Sequence, residues 1–274
     1  MSPVQLVAHR GDPVAHVENT LQAIAHAAAE GLEVVEVDLR LSAEGEPILL
    51  HDSTLERLWE CTASPAELSV SVLEAREPAE HGTCANDHGF ERGVPALERA
   101  LDAVGDAVLL LDFPGEADGA EQEIARVSAS RIRAIASGEG HHSDERRAAA
   151  ARAEFTGGVT AMRAVREVLP AARLRMTYPL DGVPDPALVE ELEPYSWNPH
   201  FGMCSPTTVS AARALGLRTT CWTVDDAETA RALAVMGVEA VTSNRAGDLL
   251  RVLNQNAEVR GACAPITWGE SAMC

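Results

Sequence analysis

The chain has 274 residues, 46 % of them apolar and only 4 % aromatic, with a formal net charge of −20 and no lysine, so that all 22 basic residues are arginine. That is enough apolar material for one large aliphatic core, and so acidic a chain is a poor partner for nucleic acid, which needs a basic footprint. The six cysteines (61, 84, 204, 221, 263, 274) show no CxxC pair, MSPVQLVAHRG lacks a basic segment followed by an apolar one, and no apolar run approaches about 18 residues; the expectation is a cytoplasmic protein without disulfide framework, zinc site or membrane span.

Short apolar runs alternate with amphipathic stretches along the chain, the pattern of repeated βα units. QLVAHR (5–10) reads as a strand and NTLQAIAHAAAEG (19–31) as a helix closed by Gly31. VVEVDLRL (34–41) is the second strand, turning at AEGE into a short return strand, PILLHD (47–52). Residues 53–93 are polar and irregular and read as an insertion with one or two short helices. Helical spacing resumes at 96–105, AVLLLDF (107–113) is the third barrel strand, and a helix follows at 121–137. Strands at 152–157, 172–180, 194–200, 218–225 and 239–244 are separated by helices at 161–170, 184–192, 206–216 and 227–236. With a last helix at 247–255, the sequence predicts a TIM (β/α)8 barrel with a small insertion after the second strand. It occupies residues 1–256 as one domain, and 257–274, with Trp268, form a tail.

On the second strand the two-residue period puts Glu36, Asp38 and Arg40 on one face and Val35, Val37, Leu39 and Leu41 on the other. In a parallel barrel the charged face must be interior or near the mouth, where the carboxylates need a partner: a divalent cation, or Arg40 in an internal ion pair. His9 with Arg10 ends the first strand and His51 with Asp52 ends the return strand, at the strand C-termini where barrel enzymes place their chemistry. Two imidazoles titrating near neutrality can divide general acid and general base duties; a single one there would as readily be a satisfied polar residue. His141 and His142 in GEGHHSDERR read as a solvated loop, and Asn198 and His200 in WNPHFG as candidates for the cavity wall.

HRG (9–11), ENT (18–20), EVDLRLSAEGEPILLHDSTLER (36–57), VPAL (94–97), CWTVD (221–225) and GVEAVTSNR (237–245) together resemble the ordered motifs of the glycerophosphodiester phosphodiesterases. The resemblance runs from about residue 5 to 250 and implies a TIM barrel with an insertion after the second strand. It implies that His9 and His51 are the acid–base pair, and that Glu36 and Asp38 are metal ligands, with Asp112 at the third ligand position. It further implies that Arg10 contacts the phosphate, that Glu18 and Asn19 lie near the mouth, and that Trp222 lines the pocket. An oxygen-only ligand set suits Mg²⁺ or Ca²⁺.

The implied reaction is metal-dependent hydrolysis of a glycerophosphodiester, or a related small anionic phosphodiester, to an alcohol and a phosphomonoester. The same site in a lyase that forms a cyclic phosphate, and a barrel that binds a ligand or partner without turnover, are the alternatives. The chain departs from the family pattern at Pro114, where a lysine is usual, so a substitute cation must be an arginine, with Arg10, Arg40 and Arg175 as candidates. It departs again at EFTGG (154–158) and at Asn244, where an aspartate is common.

Overall fold

A computed structural model of the chain describes residues 4–79, 93–115, 119–178 and 182–262. Among these residues nine strands run in chain order: β1 (Gln5–Ala8), β2 (Val34–Leu41), β3 (Pro47–Leu49), β4 (Val108–Phe113), β5 (Glu154–Gly157), β6 (Leu174–Met176), β7 (Ser196–Trp197), β8 (Arg218–Cys221) and β9 (Ala240–Ser243). Eight of them pair in parallel in the order β1-β9-β8-β7-β6-β5-β4-β2, and the β1–β2 pairing closes the ring. β3 is the exception, the predicted return strand lying antiparallel on β2. Among the described residues the architecture is therefore the predicted TIM barrel.

Helices Leu21–Ala29, Leu97–Ala103, Ala120–Ser137, Val159–Val168, Pro186–Leu192, Pro206–Ala214, Ala227–Met236 and Ala246–Ala262 cover the outside. The outward strand residues Val35, Val37, Leu39, Leu109, Leu111, Phe113 and Phe155 form one core with helix residues such as Ile24, Leu101, Ile132 and Val165. Local chemistry sets where these helices begin. The Thr20 hydroxyl accepts from Ala23 N, Asp226 from Thr229 N, and Ser205 forms a capping box with Thr208 just before Pro206.

The inward faces are layered. Val7, Val34, Leu110 and Ala240 plug the barrel floor with aliphatic side chains. Buried polar groups lie beside and just above them, Glu154 being the register partner of Leu110 and Thr220 of Ala240: Arg175 pairs with Glu154 at 2.7 Å, and Asn198 donates to Thr156 at 3.1 Å while accepting from Thr220 at 2.8 Å. Each buried group has a partner, which is what makes a polar layer tolerable there.

The insertion carries short helices Glu56–Trp59 and Val70–Glu74 with a 3₁₀ turn Pro65–Glu67 between them. Leu55, Trp59, Leu73 and Val94 pack with Ile48 of β3 and Leu50 just after it into a satellite core that fixes the insertion beside the barrel mouth.

Three differences from the sequence reading have physical causes. Helix Asp144–Arg152 occupies part of the stretch read as a loop and takes the first residue of the strand expected at 152–157. Its run of four alanines carries no polar–apolar stripe, so periodicity could not reveal it, although Ser143 caps it through Arg146 N. β6, β7 and β8 are shorter than expected because pairing stops where the following segments leave to form the mouth, at Asn198-Pro199 among other places. The last helix continues to Ala262, past the expected start of the tail, and Trp268 lies outside the described residues.

Candidate active site

The strand ends of β1, β2, β4, β5, β6, β7, β8 and β9 open into a cavity of about 490 Å³. His9, Arg10, Glu36, Asp38, His51, Asp112 and Trp222 line it, so seven of the nine residues expected at the site converge there. Arg40, Asn198 and Pro114 line it too. Glu18 and Asn19 stand behind this wall. Asn19, 1 % exposed, donates from its amide to Asp38 Oδ2 at 2.8 Å and accepts from Asp38 N at 3.0 Å, while Glu18 accepts from Arg10 at 2.8 Å. His200 packs edge-on against Trp222 and does not reach the cavity; of the WNPHFG pair only Asn198 does.

The turn that presents His9 and Arg10 depends on Gly11. Its φ is +82°, and a Cβ there would sit 2.5 Å from the backbone carbon of Ala23, so only glycine lets the loop lie on helix Leu21–Ala29. Arg10 itself has φ +60°, which turns its amide onto Glu36 Oε2 at 2.9 Å and its guanidinium toward Asp38 at 3.1 Å.

Register brings the acidic residues together. Asp38 and Asp112 are direct partners in the β2–β4 pairing, and Glu36 lies one inward position deeper on β2. Carboxylate oxygens of Glu36, Asp38 and Asp112 all lie within 4.8 Å of one another, and Glu36 Oε1 is buried with no hydrogen-bond partner among the described residues. Burial first, then the neighbouring Asp38 and Asp112 charges, push Glu36 well above the usual carboxylate range against the pull of Arg10. Burial and Asp38 push Asp112 up to about 7, with the Phe113 amide, Arg10 and Arg40 opposing. Crowded, partly orphaned oxygens with raised affinity for protons are what a divalent cation would relieve, and an all-oxygen donor set fits Mg²⁺ or Ca²⁺.

The two histidines flank this cluster. His51 Nδ1 lies 2.8 Å from Asp52 Oδ1, and the carboxylate can only accept, so Nδ1 carries the hydrogen and Nε2 is the free nitrogen. Burial works against ionisation of Asp52, yet Arg57 and His51 hold it below the ordinary carboxylate range. The Arg40 guanidinium donates twice to the His51 carbonyl, from Nε at 3.1 Å and from a terminal nitrogen. His9 Nε2 is 3.9 Å from Glu36, and burial, then the Arg10 guanidinium, hold its pKa below the imidazole norm although Asn244, Asp38 and Glu18 pull the other way.

Sequence reasoning missed Arg57. From the insertion's first helix it donates to Asp52 at 2.6 Å and grips Glu18 through both terminal nitrogens at 3.1 and 2.6 Å. A chain of charges therefore runs His51–Asp52–Arg57–Glu18–Arg10–Asp38 around one side of the mouth. The signal was present in HDSTLER, but nothing local says that Arg57 meets a residue 39 positions earlier. Of the three arginines considered as substitutes for the missing lysine, Arg10 and Arg40 line the cavity, whereas Arg175 is held by Glu154 in the layer beneath.

Fold and site together define a (β/α)8 barrel with a cluster of three carboxylates and two histidines at the C-terminal mouth, the end where barrel enzymes place their chemistry. The chain belongs to the glycerophosphoryl diester phosphodiesterase family, whose model matches residues 9–248. It is similar over 98 residues, at 38 % identity, to glycerophosphodiester phosphodiesterase 1 of Bos taurus, a match covering 36 % of this chain but only 29 % of that protein. A glycerophosphodiester phosphodiesterase of Caldanaerobacter subterraneus subsp. tengcongensis aligns at 22 % identity over 259 residues, 91 % of this chain and 98 % of the relative. Among solved structures, an Oleispira antarctica phosphodiesterase in complex with the product sn-glycerol-3-phosphate superposes with a TM-score of 0.74 at 19 % identity, covering 91 % of this chain and 96 % of that one. A Silicibacter pomeroyi protein, described as a glycerophosphoryl diester phosphodiesterase, gives 0.73 at 22 % identity, covering 93 % and 94 %.

Proposed function

We propose that the chain is a divalent-cation-dependent phosphodiesterase that hydrolyses a glycerophosphodiester, or a related small phosphodiester, to an alcohol and a phosphomonoester. The observation that carries this reading is the convergence of three carboxylates and two imidazoles on one cavity at the barrel mouth. Glu36, Asp38 and Asp112 would hold the cation, Mg²⁺ or Ca²⁺, which when bound would supply charge neutralisation and polarisation of the phosphoryl group. His9 and His51 share the proton transfers, one taking the proton of the attacking water and the other giving a proton to the leaving alkoxide. Arg10, braced by Glu18 and Asp38, faces the phosphate, and Arg40 adds positive charge on the side where Pro114 supplies none. Trp222 and Asn198 form the opposite wall, against which the alcohol portion lies. The product named for the Oleispira antarctica structure, sn-glycerol-3-phosphate, favours a glycerol phosphate as the monoester released here.

The test is turnover of a glycerophosphodiester by purified protein with Mg²⁺ or Ca²⁺, alongside His9→Ala and His51→Ala. Each substitution should lower turnover by about 10²- to 10⁴-fold while leaving cation binding intact. Full activity in either variant removes that histidine from the reaction.

A further inference from the structure

We infer that Asp225 and Asn244 form a clamp that fixes the His9 imidazole with its hydrogen on Nδ1 and Nε2 turned to the cavity, a positioning role that rests on the acid–base duty proposed above for His9. Neither Asp225 nor Asn244 lines the cavity, so both act through the ring.

The clamp is built where three neighbouring strands end. β9 lies between β8 and β1; Asn244 directly follows β9, Asp225 comes four residues after β8, and His9 directly follows β1. The His9 amide donates to the Ser243 carbonyl at 3.0 Å, which sets the height of the ring beside Asn244. Asp225 then holds the β9 end through three bonds. Its Oδ1 accepts from Ser243 Oγ at 3.0 Å and from the Asn244 backbone at 2.8 Å, and its Oδ2 accepts from Asn244 Nδ2 at 2.8 Å.

Those bonds decide which way the Asn244 amide faces. A carboxylate can only accept, so the amide must present its NH₂ to Asp225, because the reverse orientation would oppose two oxygens. The carbonyl oxygen is thereby left for His9, and Nδ1 lies 2.7 Å from it. A carbonyl has no hydrogen to give, so the ring must supply one from Nδ1, and in the neutral imidazole Nε2 is then the nitrogen that bears the lone pair. Asn244 thus orients the ring as an aspartate would, without adding a fourth carboxylate beside Glu36, Asp38 and Asp112.

The clamp is tested by long-range ¹H–¹⁵N correlation spectra of labelled protein, with the His9 signals assigned by their loss in His9→Gln. The expected wild-type pattern is a protonated Nδ1 and an unprotonated Nε2; a hydrogen on Nε2 in the neutral ring overturns the clamp. Asn244→Leu should move the hydrogen to Nε2 and lower kcat about 10- to 100-fold with KM changed less than about threefold, whereas the exchange Asp225→Asn with Asn244→Asp, which keeps one amide facing one carboxylate and leaves an acceptor for Nδ1, should keep the hydrogen on Nδ1. An unchanged His9 spectrum in Asn244→Leu also overturns it. A tautomer shift with unchanged kcat supports the clamp and instead overturns the acid–base duty of His9, so the two failures are distinguishable.

Discussion

Replacing Asp112 by asparagine should stabilise the cation-free protein at alkaline pH. Burial and the Asp38 charge raise Asp112 from the ordinary 3.8 to about 7, so the folded state holds this proton over a range in which the unfolded chain has released it. A group raised in this way contributes stability that is complete below about 3.8 and is lost as pH climbs through about 7. At about 1.4 kcal/mol per pH unit, the three-unit gap sets an upper figure of about 4 kcal/mol lost at pH 8; because Asp112 opens partly to the cavity, about 2–4 kcal/mol is the working range. Asparagine keeps the oxygen that accepts from the Phe113 amide at 2.8 Å and discards the charge. In chelator, Asp112→Asn should therefore melt roughly 5–15 °C above wild type at pH 8, with a smaller gain at pH 5.5. Adding Mg²⁺ or Ca²⁺ should stabilise wild type more at pH 8 than at pH 5.5 and the variant little at either, because the ion needs the ionised carboxylates. A variant that melts below wild type at pH 8 in chelator, or one that keeps the full cation-induced shift, would refute the picture of three crowded carboxylates awaiting a cation.

Two further substitutions probe the frame around the site. Arg57→Met severs the link between Asp52 and Glu18 and should lower kcat about tenfold while shifting the melting midpoint little, since the removed pairs lie at the partly exposed rim; steady-state kinetics with a melting curve check both halves. Gly11→Ala must place a Cβ 2.5 Å from the Ala23 backbone at φ +82° and should destabilise by about 2–4 kcal/mol, read in urea unfolding; wild-type stability there would mean that the HRG turn is not held against the helix as described.

The barrel was legible because its signals are local. Apolar runs of strand length alternate with capped amphipathic segments, and the two-residue period on β2 alone separates Glu36, Asp38 and Arg40 from the outward aliphatic face. What the sequence could not supply was depth and register. Asp112 was recognisable as a carboxylate ending a buried strand, but its pairing opposite Asp38 follows only from the β2–β4 register. Arg175 has the same appearance as Arg10 and Arg40 in the sequence, yet it lies deeper in the barrel, outside the cavity lining, where Glu154 takes it. Glu18 and Asn19 were placed near the mouth by motif; that they brace Arg10 and Asp38 depends on the positive φ values of Arg10 and Asn19, +60° and +57°, which no pattern announces. The His9–Asn244 contact, 235 positions apart, exists only because β9 closes the ring against β1, and the reach of Arg57 to Glu18 spans 39 positions that no local pattern joins.

The most direct test of the function is a phosphorus NMR time course of purified protein with a glycerophosphodiester, with and without a divalent cation. The diester signal should be lost only when the cation is present, with an open phosphomonoester growing from the first spectra and no cyclic species accumulating. Persistence of the diester in the presence of folded, cation-bound protein, or accumulation of a cyclic phosphate in place of the monoester, would contradict it.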